Sequence, residues 1–180
     1  MTKDDMMHGG RRSTVTRRAL FGRGQNFSVI RPPWALPEAD FVTVCDGCNK
    51  CIPKCPENII KPTDDDLVQL SFDEAGCTFC GECVAICPTG ALSKAVEPAL
   101  ALEARVQGNC IALHGVMCRL CEDACETRAI RFRPGLGGKS YPIISEDNCN
   151  GCGACVSRCP STAIHLAEAQ VMEQTMGKTK

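Results

Sequence analysis

The stretch CDGCNKCIPKCP, residues 45–56, decides how this chain folds. Its four cysteines are separated by two, two and three residues, and a proline follows the last one. Nearly the same stretch returns as CTFCGECVAICP at residues 77–88 and as CNGCGACVSRCP at residues 149–160. A looser copy begins at Cys110 and continues as CRLCEDACE, residues 118–126. The four copies account for all 16 cysteines of the 180 residues.

The amino-acid composition limits the possible roles of these cysteines to two. Cysteine at this density indicates a disulfide scaffold or a metal–thiolate protein. The chain has only six Phe, one Trp and one Tyr, so few large side chains are available to fill a hydrocarbon core. Small domains commonly compensate with metals or disulfides.

The choice between disulfides and metal depends on the compartment, because disulfides are rare in the cytosol. The pair Arg17-Arg18, in TRRALFGRG, superficially resembles a twin-arginine export signal. Such a signal needs an apolar run of roughly 7 to 15 residues after the arginines, and here Gly22 and Arg23 follow only three apolar residues. No segment has the roughly 20 apolar residues of a membrane span. We therefore predict a soluble, cytoplasmic protein whose thiols are reduced unless they hold metal.

The spacing of the cysteines indicates the metal. Structural zinc sites usually pair two separated C-x2-C loops, which leaves the third and fourth cysteines of each motif unexplained. The pattern C-x2-C-x2-C-x3-C-P is the bacterial ferredoxin signature for a [4Fe–4S] cluster. Three clean copies and one near copy favour iron–sulfur clusters over zinc or disulfides.

The segments between the motifs predict the fold class. ENIIKP and LVQLSFDEAGC flank an Asp-rich turn between the first two motifs, and residues 128–133 and 141–144 flank a Gly-rich turn between the last two. Each reads as a β-hairpin. We predict an α+β fold of two tandem bacterial-ferredoxin-like units with short helices around the clusters. The predicted divisions are a basic, largely irregular arm at 1–37, units at 38–95 and 110–166, a linker at 96–109 and a C-terminal helix or tail at 167–180.

In two-cluster ferredoxins the fourth cysteine of each motif ligates the other cluster. Pairing adjacent motifs under this rule predicts four [4Fe–4S] clusters, whereas a nested pairing of motif one with four and two with three remains open on spacing alone. The first cluster is then held by Cys45, Cys48, Cys51 and Cys87, and the second by Cys77, Cys80, Cys83 and Cys55. The third is held by Cys110, Cys118, Cys121 and Cys159, and the fourth by Cys149, Cys152, Cys155 and Cys125.

The third motif departs from the others. Seven residues, IALHGVM, stand where the usual two separate the first ligands, and Glu126 replaces the proline after Cys125. We expect His114, within the longer loop, to lie near solvent and not to ligate iron. A longer loop changes exposure and the amide donors to sulfur, which both act on reduction potential.

The N-terminal and C-terminal segments of the chain differ in composition from the part that carries the cysteine motifs. Residues 1–37 carry seven Lys or Arg and two acids, whereas residues 38–180 carry 13 basic and 19 acidic residues. The arm is interpreted either as a solvated basic segment or as a partner-docking segment that uses Arg17, Arg18, Arg23 and Trp34. Overall acidity and scarce aromatics argue against nucleic-acid binding. At the other end, Leu166, Ala169, Met172 and Met176 have near-helical spacing and predict a capping helix.

The order of these features resembles the ferredoxin-type proteins of periplasmic nitrate reductase systems. The matching features are R-R-x-L-x-G-R at residues 17–23, I-R-P-P-W at residues 30–34, the opened third motif, and I-x-F-R-P at residues 130–134. The resemblance covers about residues 11–166 and implies a cytoplasmic partner of the nitrate reductase catalytic subunit, acting on the precursor before its export.

Three function classes follow. The first is a maturation factor for that precursor, and the second is an electron-transfer subunit that relays electrons to a nitrate reductase or another oxidoreductase complex. The third is an interaction module braced by its clusters, although four clusters are more than bracing needs. The sequence shows no recognisable nucleotide-binding loop or nucleophile–base pair, so we predict that the chain is not an enzyme by itself.

Overall fold

The computed structural model describes residues 29–97, 100 and 102–169. This part of the chain has the predicted α+β fold, with short helices and antiparallel two-stranded sheets. The helices are α1 (Glu38–Val44), α2 (Glu82–Ala85), α3 (Leu120–Asp123) and α4 (Ala154–Ser157). The strands are β1 (Ile60–Pro62), β2 (Val68–Leu70), β3 (Leu102–Val106), β4 (Ile130–Pro134), β5 (Ser140–Ile144) and β6 (Ile164–Glu168).

Each predicted hairpin between motifs is confirmed. Strands β1 and β2 pair antiparallel with Ile60 opposite Leu70, and β4 and β5 pair with Ile130 opposite Ile144. In the first hairpin the turn at residues 63–67 is closed by the amide of Leu67, which donates to the Thr63 hydroxyl at 3.1 Å. Each hairpin thus carries the chain from one cysteine motif to the next.

A second pair of strands closes the second unit at its ends, and this corrects two expectations. The expected linker at 96–109 contains β3, which pairs antiparallel with β6 directly after the fourth motif. The expected C-terminal helix is wrong at its start, because Leu166 lies in β6 opposite Ala104. Met172 and Met176 lie outside the described residues. In the first unit an isolated bridge joins Ala35 to Leu92 at the corresponding place.

The segment at residues 29–37 belongs to the first unit, although the sequence placed it in the basic arm. The amide of Leu70 donates to the carbonyl of Ile30 at 2.7 Å. The Arg31 guanidinium donates to the Val68 carbonyl at 2.6 Å, pairs with Glu38 and lies 4.8 Å from the centre of the Phe41 ring. These contacts fix the segment, hereafter the strap, across the hairpin. Arg17, Arg18 and Arg23 lie outside the described residues.

The two units pack directly against one another. Phe41, Ile59 and Val68 form the centre of the larger apolar core, and Val156 and Leu166 of the second unit pack against that core. The amide of Cys77 donates to the carbonyl of Cys152 at 2.7 Å across the contact. A Cβ added to Gly76 would lie 2.5 Å from the backbone nitrogen of Ala154, so only glycine allows this approach.

Candidate metal centre

Four thiols of the first unit surround one small cavity. Cys45, Cys48 and Cys51 come from the first motif and Cys87 comes from the second. Phe41, Val68 and Leu92 line the rest of the cavity. The first motif therefore supplies three thiols and the second motif supplies the fourth.

The second cavity has the reciprocal composition. Cys77, Cys80 and Cys83 of the second motif line it together with Cys55 of the first. The strap covers this cavity, because Pro32, Pro33 and Trp34 line it as well. Trp34 also packs edge-on against Phe79, with ring centres 6.4 Å apart. This internal role of Trp34 was missed by sequence reasoning, which considered only a partner contact for it.

The second unit repeats the exchange of thiols. Cys149, Cys152 and Cys155 share a cavity with Cys125 of the preceding motif. Each of the three cavities is lined by three thiols of one motif, one thiol of its neighbour and several apolar side chains. The similarity in lining indicates that the three cavities suit the same kind of group.

The thiols of the opened third motif also gather. Cys110 and Cys118 lie close enough to Cys121 to add to the effect of burial in raising its pKa. Cys110 and Cys159 contact the same apolar cluster. His114 is exposed, and its Nε2 lies 2.8 Å from the carbonyl oxygen of Gly108. The structure therefore brings together the thiols that were assigned to one cluster by pairing adjacent motifs. That these thiols ligate iron remains a prediction.

The motif loops need a left-handed backbone. Gly47, two residues after Cys45, has φ +66°, and a Cβ there would lie 2.6 Å from the carbonyl oxygen of Asp66. The third residue after each fourth cysteine also has positive φ: Asn58, Gly90, Arg128 and Thr162. Positive φ is costly for residues other than glycine, above all for a β-branched one. Positive φ recurs at the same position after all four motifs. The backbone conformation around each thiol group is therefore kept despite its local energetic cost.

The fourth cysteine of three motifs accepts hydrogen bonds at sulfur. The amides of Leu92, Ala129 and Ala163 donate to the Sγ atoms of Cys87, Cys125 and Cys159 at 3.4, 3.2 and 3.2 Å. A hydroxyl two residues after each of these cysteines lies near the same sulfur: Thr89 at 3.7 Å, Thr127 at 3.5 Å and Ser161 at 3.6 Å. After Cys55 this position is Glu57, so the first motif lacks the hydroxyl.

These hydroxyls lead to a testable prediction. Thr89→Val should lower the reduction potential of one centre by on the order of 20–60 mV, because a donor to sulfur stabilises the reduced, more negative state and is worth about 1 kcal/mol. A redox titration followed by electron paramagnetic resonance measures the shift. Thr43→Val is the matched control, since the Thr43 hydroxyl donates to the Asp40 carbonyl instead. Unchanged potentials in Thr89→Val would contradict the prediction.

Burial sets the proton affinity of most of these thiols. It raises the pKa of Cys51, Cys77 and Cys121 to about 11, and neighbouring cysteines add to the effect. Burial likewise raises the pKa of Cys83 and Cys155 to about 12. At Cys87 burial also acts upward, but the donors from Leu92 and Thr89 outweigh it and lower the pKa. A coordinating metal removes the protons of such thiols outright.

The thiol groups form a continuous row. Cys51 of the first group and Cys83 of the second are buried in the same apolar cluster. The amide of Cys77 in the second group donates to the carbonyl of Cys152 in the fourth at 2.7 Å. Cys121 of the third group and Cys155 of the fourth are buried together in another apolar cluster. The spatial order is therefore first, second, fourth and third, and the first and third groups lie at the ends.

The donor set fits a [4Fe–4S] cluster. All 16 cysteines are free thiols, and within residues 29–97, 100 and 102–169 no three His, Cys, Asp or Glu side chains are arranged to hold a single metal ion. One tetrahedral zinc would draw its sulfurs to within about 3.8 Å of one another, given Zn–S distances of about 2.3 Å. Four thiols that share a cavity but are not placed to hold one ion match the ligand set of a [4Fe–4S] cluster.

Comparison with known proteins agrees with this geometry. A family profile described as the 4Fe–4S dicluster domain matches residues 44–91 and 115–163. The "Ferredoxin-type protein NapF" of Escherichia coli (strain K12) is 39% identical over 149 residues, which cover 82% of this chain and 91% of that protein. NapF of Haemophilus influenzae is 38% identical over 83% of this chain and 85% of its own length. The "Methylamine utilization ferredoxin-type protein MauM" of Methylobacillus flagellatus is 30% identical over 83% of this chain and 70% of its own length.

The fold and the thiol groups therefore define a ferredoxin-type protein with 4Fe–4S dicluster domains. Within that class, the chain belongs to the NapF family of ferredoxin-type proteins. The described residues contain no helix that is long and apolar enough to cross a membrane.

Proposed function

We propose that this chain holds four [4Fe–4S] clusters, one at each of the four thiol groups. A [4Fe–4S] cluster supplies one-electron oxidation and reduction when bound. The residues of the chain do the rest. Three consecutive thiols of one motif and the fourth of its neighbour bind each group, and backbone amides donate to the sulfurs of Cys87, Cys125 and Cys159. Apolar residues such as Phe41, Val68 and Ile130 exclude water from the cavities.

We further propose that the protein serves the catalytic subunit of periplasmic nitrate reductase, in the cytoplasm and before that subunit is exported, without a catalytic site of its own. The observation that carries this proposal is the row of thiol groups, joined by the contact of Cys77 with Cys152. A row of this kind suits the delivery of electrons to an immature metalloenzyme. The choice of client rests on the resemblance of the motifs at residues 17–23 and 30–34 to ferredoxin-type proteins of periplasmic nitrate reductase systems.

Cofactor content is the first expected result of this proposal. Protein purified without oxygen should contain about 16 iron and about 16 acid-labile sulfide per chain, because four cysteines hold four irons in each cluster and the chain has 16 cysteines. Iron and sulfide analysis with a zinc assay on the same sample provides the measurement. Zinc in place of iron would contradict the assignment.

The partner is tested by anoxic pull-down with the precursor and the mature catalytic subunit side by side. We expect capture of the precursor. The triple variant Arg17→Ala, Arg18→Ala and Arg23→Ala should weaken capture most at low salt while iron content stays unchanged, because opposite charge mainly speeds encounter. Failure of the wild-type chain to capture the precursor would overturn the proposal.

A second candidate is an electron-transfer subunit in a stable oxidoreductase complex. The same row of thiol groups favours it, because neighbouring one-electron centres can pass electrons from a donor to an acceptor. Cell fractionation separates the two functions. Residence in the periplasm, or exclusive association with a membrane quinol-oxidising complex, would favour the electron-transfer subunit.

A further inference from the structure

The opened third motif exposes apolar side chains beside its thiols. After Cys110 the chain forms a short 3-10 helix, Ile111–His114, which buries Ala112 fully. It then turns at Gly115 and leads to Val116 and Met117, which are 52% and 95% exposed. The added residues therefore give only part of their apolar surface to the core.

The turn of the second hairpin lies against this loop. A Cβ added to Gly115 would lie 3.6 Å from the carbonyl oxygen of Gly137. Leu136, next to Gly137 in the turn between β4 and β5, is 92% exposed. Leu120, at the start of α3, is exposed as well. Val116, Met117, Leu120 and Leu136 are called the apolar patch below.

Exposure of this kind is unusual when it is clustered. Single exposed apolar residues are normal on protein surfaces, whereas neighbouring ones mark a binding surface. Met117 directly precedes Cys118, and Leu120 directly precedes Cys121. The apolar patch therefore lies at the third thiol group, which is one end of the row.

Basic side chains outnumber acidic ones in the segments that carry the apolar patch. Arg119 lies with its guanidinium 5.8 Å from the centre of the Phe132 ring. Arg119 and Arg131 both pair with Glu122 yet stay more than half exposed. Arg133 on β4 and Lys139 in the turn that follows are exposed as well. Residues 111–144 carry five basic and three acidic side chains, whereas residues 38–180 as a whole carry 13 and 19.

We propose that the apolar patch is the surface through which this chain docks on its client protein, and that the client presents an apolar centre with an acidic rim. The inference rests on the proposed function, because it names the contact surface for the same client. A protein that exchanges electrons with this chain must approach an end of the row, and the third group offers one end with apolar surface around it. Opposite charges on the rim orient the encounter, and the apolar side chains supply the contact that excludes water.

The test uses the full chain with its clusters and the precursor of the nitrate reductase catalytic subunit. The double variant Met117→Asp and Leu136→Asp should bind the precursor at least tenfold more weakly and keep its iron, since both side chains are almost fully exposed. Val42→Asp is the matched control, because Val42 is an exposed apolar residue on α1 of the first unit. Its affinity should stay within twofold of wild type. Arg131→Glu with Arg133→Glu should slow association at low salt.

The outcomes separate the two proposals. If the wild-type chain and the Met117→Asp, Leu136→Asp double variant bind the precursor equally well, the docking surface is wrong and the proposed function still stands. Absence of wild-type binding would overturn the proposed function and the docking surface with it. Sedimentation with vesicles that contain phosphatidylglycerol tests whether the apolar patch binds a membrane surface instead of a protein. Binding of the wild-type chain to the vesicles, lost in the double variant, would show a membrane surface and overturn docking on a protein.

Discussion

Replacing Cys87 by Ala is expected to remove one cluster of four, or about a quarter of the bound iron. Cys87 lies in the second motif, yet it lines the cavity of Cys45, Cys48 and Cys51. The cluster of the first group should therefore be lost, while the group of Cys77 should keep its own. Iron analysis and electron paramagnetic resonance on anoxic protein make the measurement.

Double variants identify which group is lost. Cys48→Ala combined with Cys87→Ala should cost no more iron than either change alone, because both thiols serve one group and their effects do not add. Cys80→Ala combined with Cys87→Ala should cost twice as much, because these thiols line different cavities. Cys159→Ala is the matched control in the second unit. Additive loss from Cys48 and Cys87 would show that these two thiols hold different clusters.

Gly76→Ala should separate the two units. The new Cβ would lie 2.5 Å from the backbone nitrogen of Ala154 and 2.7 Å from its Cα, and backbone atoms cannot move aside as a flexible side chain can. Overpacking of this kind costs typically about 1–3 kcal/mol. For a chain of this size we expect the temperature of thermal cluster loss to fall by roughly 2–12 °C.

The same substitution should weaken the magnetic interaction between the second and fourth groups, since Cys77 and Cys152 meet at this contact. Gly108→Ala is the control, because a Cβ at Gly108 would have no heavy atom of the described residues within 4 Å apart from its chain neighbours. Heating with visible absorbance and electron paramagnetic resonance of the reduced protein are the two measurements. Equal behaviour of the two alanine variants would show that the units do not depend on this contact.

The segments between the motifs predicted both hairpins, and the cysteine motifs predicted the grouping of thiols, because both signals are local. Four ligands in a short stretch have few ways to surround one group, and the turns at residues 63–67 and 135–139 have strong turn residues. The grouping of Cys87 with Cys45 followed from the crossover rule once adjacent motifs were paired. Spacing alone did not choose that pairing over the nested one.

Strands β3 and β6 were not predicted because their residues favour helix. LEARV in β3 and IHLAE in β6 contain Leu, Ala, Glu and Arg, which favour helix. Pairing of the two strands over five residues overrides that preference. The strap was missed for a similar reason, since Trp34 acts through Phe79 and the cavity of Cys77, far along the chain. The Pro32-Pro33 pair beside Trp34 was the one available signal, because it stiffens the backbone.

The pairing of each unit's first and last segments determines when the protein can assemble during synthesis. Ala35 has no partner until Leu92 has left the ribosome, and β3 has none until β6 emerges near residue 168. Domains generally complete folding in the order in which they are made. The N-terminal half can therefore close and take up iron while the C-terminal half is still being translated. A chain released after residue 97 contains both thiol groups of the first unit and its closing bridge, whereas one that ends before residue 92 lacks the bridge.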